Sequence, residues 1–260
     1  MAANKSLRQK HIVQQVGETG AVSVAALARR FKVSTMTIRR DLEELYQAGR
    51  LARTHGGAVA SRSGVAEFLF EKQAADSMVE KQAIAHEVRK RIRPGMTVAL
   101  DTGTTTLEVA RALADMADLT VLTTSLAIAA ALHTEPGIEV VLLGGTMRRH
   151  SPDLCGPLAE DNLGRFHVDV AVIGADAVTE QGMFTSDLSI SRITRAMAQR
   201  ADTLILAAAA DKFQRKALYL CVELDAVDCV VTSTMCPADV RRWLKGSGVT
   251  VVYAATGRGQ

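Results

Sequence analysis

The 260-residue sequence predicts two domains of different class. An α-rich N-terminal unit covers residues 1–60, a connecting stretch covers 61–78, and an α/β unit built on a parallel sheet covers 79–260. Three observations carry this. Apolar residues recur at three- and four-residue spacing through the first fifty positions, as on amphipathic helices. Beyond Pro94-Gly95, apolar runs of strand length alternate with stretches of helical periodicity. Charge is also divided: residues 1–62 hold 11 Lys/Arg against 4 Asp/Glu, a net of +7, while the whole chain is +3, so the remainder carries −4.

In the first unit, Arg8 to Val16 reads as a short helix with Ile12, Val13 and Val16 on one side, ended by Gly17 and Gly20. Ser23 then caps a second helix whose apolar members are Val24, Leu27, Ala28 and Phe31. Lys32-Val33-Ser34 forms a turn, and Ser34 caps a third helix. Ile38, Leu42 and Leu45 form its buried stripe, and Gly49 closes it. From Arg50 to Ala58 the chain alternates apolar and polar residues around the double glycine Gly56-Gly57, as in a small β-wing. Two short helices, a tight turn and a wing make a winged helix-turn-helix.

The stripe on the third helix turns Thr35, Thr37, Arg39 and Arg40 outward near its positive end. Short hydroxyls and guanidinium forks at a helix N-terminus suit DNA phosphates and base edges. The candidate DNA-binding residues are therefore Ser34, Thr35, Met36, Thr37, Arg39 and Arg40, with Arg53 and His55 from the wing. Two other readings stand beside this one. The run is also compatible with an ordinary solvated basic face, and Arg40 sits four residues before Glu44, the spacing of a surface ion pair. The net +7 of the small unit favours phosphate binding. The acidic remainder argues against a chain that coats nucleic acid throughout.

In the second unit, Glu67 to Arg93 reads as mostly helical, with Ile84, Val88 and Ile92 on one face. Strands are expected at Thr97–Leu100, Leu119–Thr123, Val140–Leu143, Val168–Gly174, Thr203–Ala208, Cys229–Thr232 and Val249–Tyr253. Helices are expected at Thr104–Met116, Leu126–His133 and Pro237–Lys245. Continuous apolar strands belong to a parallel sheet covered on both faces.

Ligands in such sheets bind beyond the carboxyl ends of the strands. There the sequence places Asp101-Thr102-Gly103-Thr104-Thr105-Thr106, then Thr124-Ser125, then Gly144-Gly145 followed by Arg148-Arg149, then Gly174-Ala175-Asp176, then Asp211-Lys212. Hydroxyls and free amides at a helix start suit a phosphate, an arginine fork can clamp one, and a carboxylate can accept from sugar hydroxyls. The candidate effector-binding residues are Asp101, Gly103, Thr104, Thr105, Thr106, Ser125, Gly145, Arg148, Asp176 and Lys212. Plain helix capping by the threonines and a surface basic pair at 148–149 remain the alternatives. Neither a P-loop nor a dinucleotide fingerprint is present, and no cofactor is implied. The four cysteines show no zinc spacing, so no metal is implied, and they read as buried thiols in a reducing compartment. The N-terminus shows no basic-then-apolar leader, and the apolar run 204–210 is too short to cross a bilayer, so a cytoplasmic protein is expected.

The run Ser34-Thr-Met-Thr-Ile-Arg-Arg-Asp-Leu-Glu-Glu-Leu45 with Arg53-Thr-His-Gly-Gly-Ala58 closely resembles the DNA-binding domain of the DeoR family of bacterial transcription regulators, over about residues 7–60. Residues from about Glu80 to Tyr253 resemble its sensor domain, similar in fold to sugar-phosphate isomerases such as ribose-5-phosphate isomerase. The motifs are Asp101-Thr-Gly-Thr-Thr, Gly144-Gly-Thr-Met-Arg-Arg149, Cys155-Gly-Pro-Leu-Ala, Gly174-Ala-Asp176 and Asp211-Lys-Phe213. Two positions depart from the family pattern: Ala209-Ala210 replaces the usual acidic start of the Lys-Phe motif, and Thr194-Arg195 replaces a Lys-Arg pair.

The resemblance implies binding of double-stranded operator DNA, normally as a repressor of carbohydrate catabolism. It also implies sensing of a phosphorylated sugar or related anion, and a homo-oligomer reading repeated half-sites. The alternative from a different class is an active sugar-phosphate isomerase or deaminase with an attached DNA-binding module. Asp101, Asp176, Asp187 and Lys212 supply candidate acid–base groups for it.

Overall fold

The computed structural model describes residues 5–48, 50–54, 56–59, 77–148 and 151–256. The chain divides into two compact units, the first within Met1–Asp76 and the second comprising Ser77–Arg148 and Pro152–Gln260.

The first unit holds helices α1 (Lys5–Thr19), α2 (Val24–Phe31) and α3 (Thr35–Gln47). Its small sheet consists of β1 (Ala21–Ser23), β2 (Ala52–Thr54) and β3 (Gly57–Val59) in the order β1-β3-β2. Ile12, Val13, Val16, Leu27, Ile38, Leu42 and Leu45 close one core with Leu51 and Ala58. Of the two glycines expected to end α1, Gly20 does so and Gly17 does not. The helix runs through Gly17 and stops before Gly20, whose φ of +75° is the left-handed conformation that ends helices. Strand β1 was not legible as a strand because three residues carry no measurable alternation. It explains the second wing glycine: a Cβ on Gly57 would collide with the Val22 carbonyl oxygen, so only glycine lets β3 lie against β1.

The second unit is organised by a seven-stranded sheet, every pair of it parallel. Its strands are β4 (Thr97–Leu100), β5 (Leu119–Thr123), β6 (Ile138–Leu142), β9 (Val168–Ile173), β12 (Ala201–Ala207), β14 (Cys229–Ser233) and β15 (Thr250–Ala254), in the order β15-β14-β12-β9-β4-β5-β6. Ala99, Leu122, Ala171, Ile173, Leu206 and Val230 share one core with Leu163, Ile193, Met197 and Leu244 from helices α7 (Pro157–Leu163), α8 (Leu188–Arg200) and α9 (Ala238–Gly246). The intervening Val98, Leu100, Val121, Val172, Ile205 and Val231 are also buried. Helix α4 (Met78–Arg89) packs against β12, β14, β15 and α5 (Thr104–Leu113), and α6 (Leu126–Leu132) packs against α5 and β6. Residues 67–76 of the expected first helix lie outside the described residues.

Two antiparallel additions were not expected. One is the hairpin of β7 (Thr146–Met147) and β8 (Leu154–Cys155). The other is a three-stranded sheet of β10 (Ala177–Thr179), β11 (Gly182–Thr185) and β13 (Tyr219–Glu223). Both rise from loops at the carboxyl side of the parallel sheet, and both bear on the candidate ligand site.

The order of strands places a switch point between β4 and β9. From β4 the chain proceeds outward through β5 to β6, then returns to β9 and proceeds the other way to β15. The loops after β4 and β9 therefore diverge to opposite sides and leave a crevice between them, the usual location of ligands in open parallel sheets.

Candidate DNA-binding face and ligand site

Ser34 caps α3 as its sequence position implies: Oγ accepts the Thr37 N–H at 3.1 Å and lies 2.9 Å from the Thr37 hydroxyl. Ile38, Leu42 and Leu45 anchor the buried side of the helix. Thr35, Met36, Arg39 and Arg40 are exposed, with Met36 at 69 %, and Thr37 is half-buried. Lys5, Met36, Thr37, Arg40 and Glu44 line a groove of about 540 Å³ on this unit.

The acidic residues of α3 are each engaged internally. Asp41 is buried and accepts from Arg8 at 2.6 and 3.1 Å. Glu44 accepts from Lys5 at 2.7 Å and Gln9 at 2.8 Å, and these bonds hold its carboxyl below the usual range. Glu43 accepts from Arg53 at 2.6 Å. The Arg40–Glu44 ion pair is thus not formed: Lys5 and Gln9 have taken the carboxylate, and Arg40 acts on it only at longer range. Among the described residues neither Arg39 nor Arg40 makes an ion pair. Arg53 is held on Glu43, which ties the wing to α3. His55 lies outside the described residues.

At the switch point, Asp101 is buried at the end of β4. It accepts from the Thr102 amide at 2.8 Å, from the Thr194 hydroxyl at 3.1 Å and from the Gly174 amide. Burial pushes its carboxyl up to about 7 against those bonds, and the negative charge of nearby Asp153 adds to the rise. Gly103, at φ +135°, is the N-cap of α5 and supplies no side-chain cap. Thr104, Thr105 and Thr106 are buried, and the Thr106 hydroxyl donates to the Gly103 carbonyl at 3.0 Å. Ser125 Oγ accepts the Ile128 N–H at 3.3 Å as the cap of α6. Ser125 is thus used as a helix cap, whereas the Thr106 hydroxyl is turned back onto the Gly103 carbonyl and caps nothing.

Arg148 follows β7. Two carboxylates take its terminal nitrogens: Nη2 donates to Asp153 at 2.9 Å and Nη1 to Asp187 at 2.9 Å, while the buried Nε has no hydrogen-bond partner among the described residues. It is therefore not a loose surface basic residue. Asp153, fully buried, also accepts from the Thr102 hydroxyl, and its backbone bridges to Ser125. Asp176 accepts from the Thr185 hydroxyl at 3.1 Å and the Ser186 amide at 2.8 Å. Asp187 caps α8 through Ser189 at 2.8 Å and Ile190 at 3.3 Å. Lys212 is buried in the 3-10 turn Ala210–Gln214. Burial, then the charge of Arg215, lowers its ammonium from the usual range, while Asp211 and Asp176 oppose that.

One chain of contacts thus joins Asp101 and Thr102 to Asp153, Arg148, Asp187 and Ser125, with Asp176 and Lys212 coupled electrostatically beside it. Gly145 has a different place. With φ +114° and the Cys155 carbonyl oxygen 2.6 Å from where a Cβ would lie, it lets the chain enter the β7–β8 hairpin. Sequence reasoning missed Asp153, and it quoted Thr102 and Thr194 without choosing them as site residues. It also missed buried Glu80, which accepts from the Ala210 amide at 2.7 Å and the Ser233 hydroxyl at 2.6 Å. Cys155 is half-buried rather than buried, whereas Cys221, Cys229 and Cys236 are buried. Among the described residues no helix is long and apolar enough to cross a membrane.

An exposed cationic helix face on a winged helix-turn-helix, joined to a parallel-sheet unit with a polar crevice at its switch point, defines a ligand-responsive DNA-binding protein. Residues 8–63 match the DeoR-like helix-turn-helix domain and residues 76–234 the DeoR C terminal sensor domain. The chain is 34% identical to the HTH-type transcriptional regulator GlpR of Haloferax volcanii, over 94% of this chain and 96% of that protein. It is 31% identical to the glycerol-3-phosphate regulon repressor of Escherichia coli K12, over 91% and 94% of the two chains. It is 30% identical to the HTH-type transcriptional repressor CsqR of the same organism, over 94% of each. The sensor half also aligns with the ribose 5-phosphate isomerase A of Methanocaldococcus jannaschii at 19% identity and a TM-score of 0.39, over 54% of this chain and 55% of that one. The protein belongs to the DeoR family of transcription regulators.

Proposed function

We propose that this protein is a repressor whose operator affinity is set by a small phosphorylated metabolite of carbohydrate metabolism bound at the switch point between β4 and β9. The observation that carries the DNA half is the exposed pair Arg39 and Arg40 beside Thr35, Met36 and Thr37, with every acidic residue of α3 neutralised by a partner. Such a face reads a major groove with its hydroxyls and guanidinium groups while phosphate contacts hold the register. Ser34 acts by setting the start of the helix, and Arg53 by joining the wing to it.

What supports an anionic effector is that loops at the carboxyl ends of the parallel strands carry Arg148, Lys212 and the start of α5, which has no side-chain cap. Asp176, half-buried, supplies an acceptor for hydroxyl groups, while Asp101 is buried and holds Thr102 and Thr194 in place beneath it. One of the relatives is named for glycerol 3-phosphate, which has this chemistry. Effector binding shifts the population between states of different operator affinity. A homo-oligomer matches the repeated half-sites that helix-turn-helix proteins read.

The alternative of an active isomerase is not favoured. Asp101 lies buried among four neighbours and Asp187 serves as a helix cap, so neither stands as a free general base.

The test is selection of genomic fragments by the purified full chain, followed by titration of the selected operator in the presence of a panel of phosphorylated sugars and polyols. Sequence-selective binding that one phosphorylated compound alters is the expected result. Binding without sequence preference, or enzymatic turnover of a panel member, would overturn it.

A further inference from the structure

We propose that Lys212 forms a reversible imine with the carbonyl carbon of the effector, which would make that effector an open-chain aldose or ketose phosphate. This rests on the reading of the crevice as the effector site. On that reading Arg148 and the start of α5 hold the phosphate, and Lys212 receives the carbonyl end.

Lys212 follows β12 in the turn Ala210–Gln214, at the carboxyl edge where β12 lies beside β9 and the loop that carries Asp176. The residue is 7% exposed, yet among the described residues its side chain makes no hydrogen bond and no ion pair. Buried Lys81, by contrast, is engaged. The two carboxylates near Lys212 are committed elsewhere. Asp211 pairs with Arg215, and Asp176 Oδ2 accepts from Thr185 and Ser186. Ala208, Ala209 and Ala210, just before the lysine, are buried and offer it no side-chain acceptor. A buried charge without a partner is costly. The side chain therefore points to something the protein itself does not supply.

An anion would answer the charge, but the surroundings favour the amine over the ammonium. Burial first, then the charge of Arg215, draw Lys212 below the usual lysine range, while Asp211 and Asp176 oppose this. A desolvated lysine beside a second cation is an activated amine nucleophile, and its natural electrophile is a carbonyl carbon. An open-chain sugar phosphate carries that carbon together with the phosphate.

The condensation balances in atoms and charge. The ammonium first loses one proton, and the freed lone pair forms the Nζ–C bond as the carbonyl π pair moves to oxygen. That oxygen takes up two protons, equal to the one already released and a second from nitrogen, and leaves as water. Nitrogen keeps one proton in the C=N bond, so the single positive charge is retained. Asp176 Oδ1, which neither Thr185 nor Ser186 uses, is an acceptor that can carry a proton between the two. No oxidant or reductant is needed, and hydrolysis reverses the step.

The experiment incubates the full chain with glyceraldehyde 3-phosphate, dihydroxyacetone phosphate or ribose 5-phosphate, reduces with borohydride and maps adducts by peptide mass spectrometry. Glycerol 3-phosphate, which lacks the carbonyl, is the control. Thermal stabilisation by each probe is followed in parallel. The variants K212R and K212Q cannot form an imine, and the first keeps the positive charge. The expected result is a reduced adduct concentrated on the Lys212 peptide with at least one carbonyl probe, none with glycerol 3-phosphate, and loss of the adduct in both variants. Stabilisation of the parent without an adduct on Lys212, or with adducts spread evenly over the exposed lysines, overturns the imine and leaves the effector site standing. No stabilisation by any of these probes and no adduct concentrated on Lys212 overturns the effector site, and the imine with it.

Discussion

Replacing Arg8 with methionine isolates the energetic weight of the pair that holds α1 on α3. Asp41 is 2% exposed, and the guanidinium reaches it at 2.6 and 3.1 Å, with the Gln9 amide a further contact at 3.4 Å. Arg8→Met would leave that carboxylate buried without its guanidinium, with the Gln9 amide 3.4 Å away. Breaking a buried pair by removing one partner costs about 3–5 kcal/mol. A unit of this size, at roughly 0.05–0.15 kcal/mol per residue, has about 3–8 kcal/mol in total. The variant should therefore bring the DNA-binding unit to the edge of unfolding while sparing the sensor unit.

The chain offers a clean separation of the two. Its single tryptophan, Trp243, lies on α9 in the sensor unit, whereas helices in both units contribute to far-ultraviolet circular dichroism. Urea titration of Arg8→Met should show an early loss of helical signal and an unmoved tryptophan transition. The double variant Arg8→Met/Asp41→Leu should recover most of the loss, since a well-packed apolar pair replaces the ions. Lys5→Ala, which breaks an exposed and solvent-screened pair, should cost far less than Arg8→Met. A deficit in Arg8→Met no larger than that of Lys5→Ala would refute the reasoning.

Arg39→Ala and Arg40→Ala should each weaken operator binding and lower the slope of log affinity against log salt by about one, read by fluorescence anisotropy; an unaltered slope removes that residue from the interface. Asp101, raised to about 7 from 3.8, keeps its proton longer in the folded state than in the unfolded chain. Its contribution is therefore fully present below about pH 4 and is lost as pH rises through 7, at about 1.4 kcal/mol per pH unit at most. Asp101→Asn should flatten that decline, so that the variant matches the parent at pH 4 and exceeds it at pH 8 in thermal melts. An identical pH profile in both proteins would argue against a strongly raised carboxyl. Gly145→Ala meets both a φ of +114° and the Cys155 carbonyl at 2.6 Å, and should destabilise the tryptophan-reported transition by about 1–3 kcal/mol or more; a neutral effect would mean the hairpin entry relaxes freely.

What was legible in the sequence was local. The Ser34 cap and the Ile38, Leu42 and Leu45 stripe lie within one helix, and the parallel strands are short, mostly apolar runs, so helical spacing finds the first and run length the second. The loops after those strands followed from topology. Partners remote in sequence were not legible: Arg148 was singled out, but Asp187 lies 39 residues away, and nothing local marks it as the second arm of the fork. Asp153 sits only five residues from Arg148 but across a hairpin of two-residue strands, too short to leave a pattern. Arg40 and Glu44 have the spacing of a pair, and only the fold reveals that Lys5 and Gln9, far upstream, reach Glu44 first.

The switch between β4 and β9 also governs when the site comes into being. The Asp101 amide donates to the Val172 carbonyl at 3.0 Å, its carboxylate is met by Thr194, 93 residues along, and Thr102 is met by Asp153, 51 residues along. The crevice is a seam where the outward half of the sheet is closed by the returning half. Closures of such length form late in folding. On the proposed function, a nascent or partly opened chain carries the donors without the assembled site, and an effector bound there would stabilise the two halves as one piece, protecting amides on both sides of the seam together.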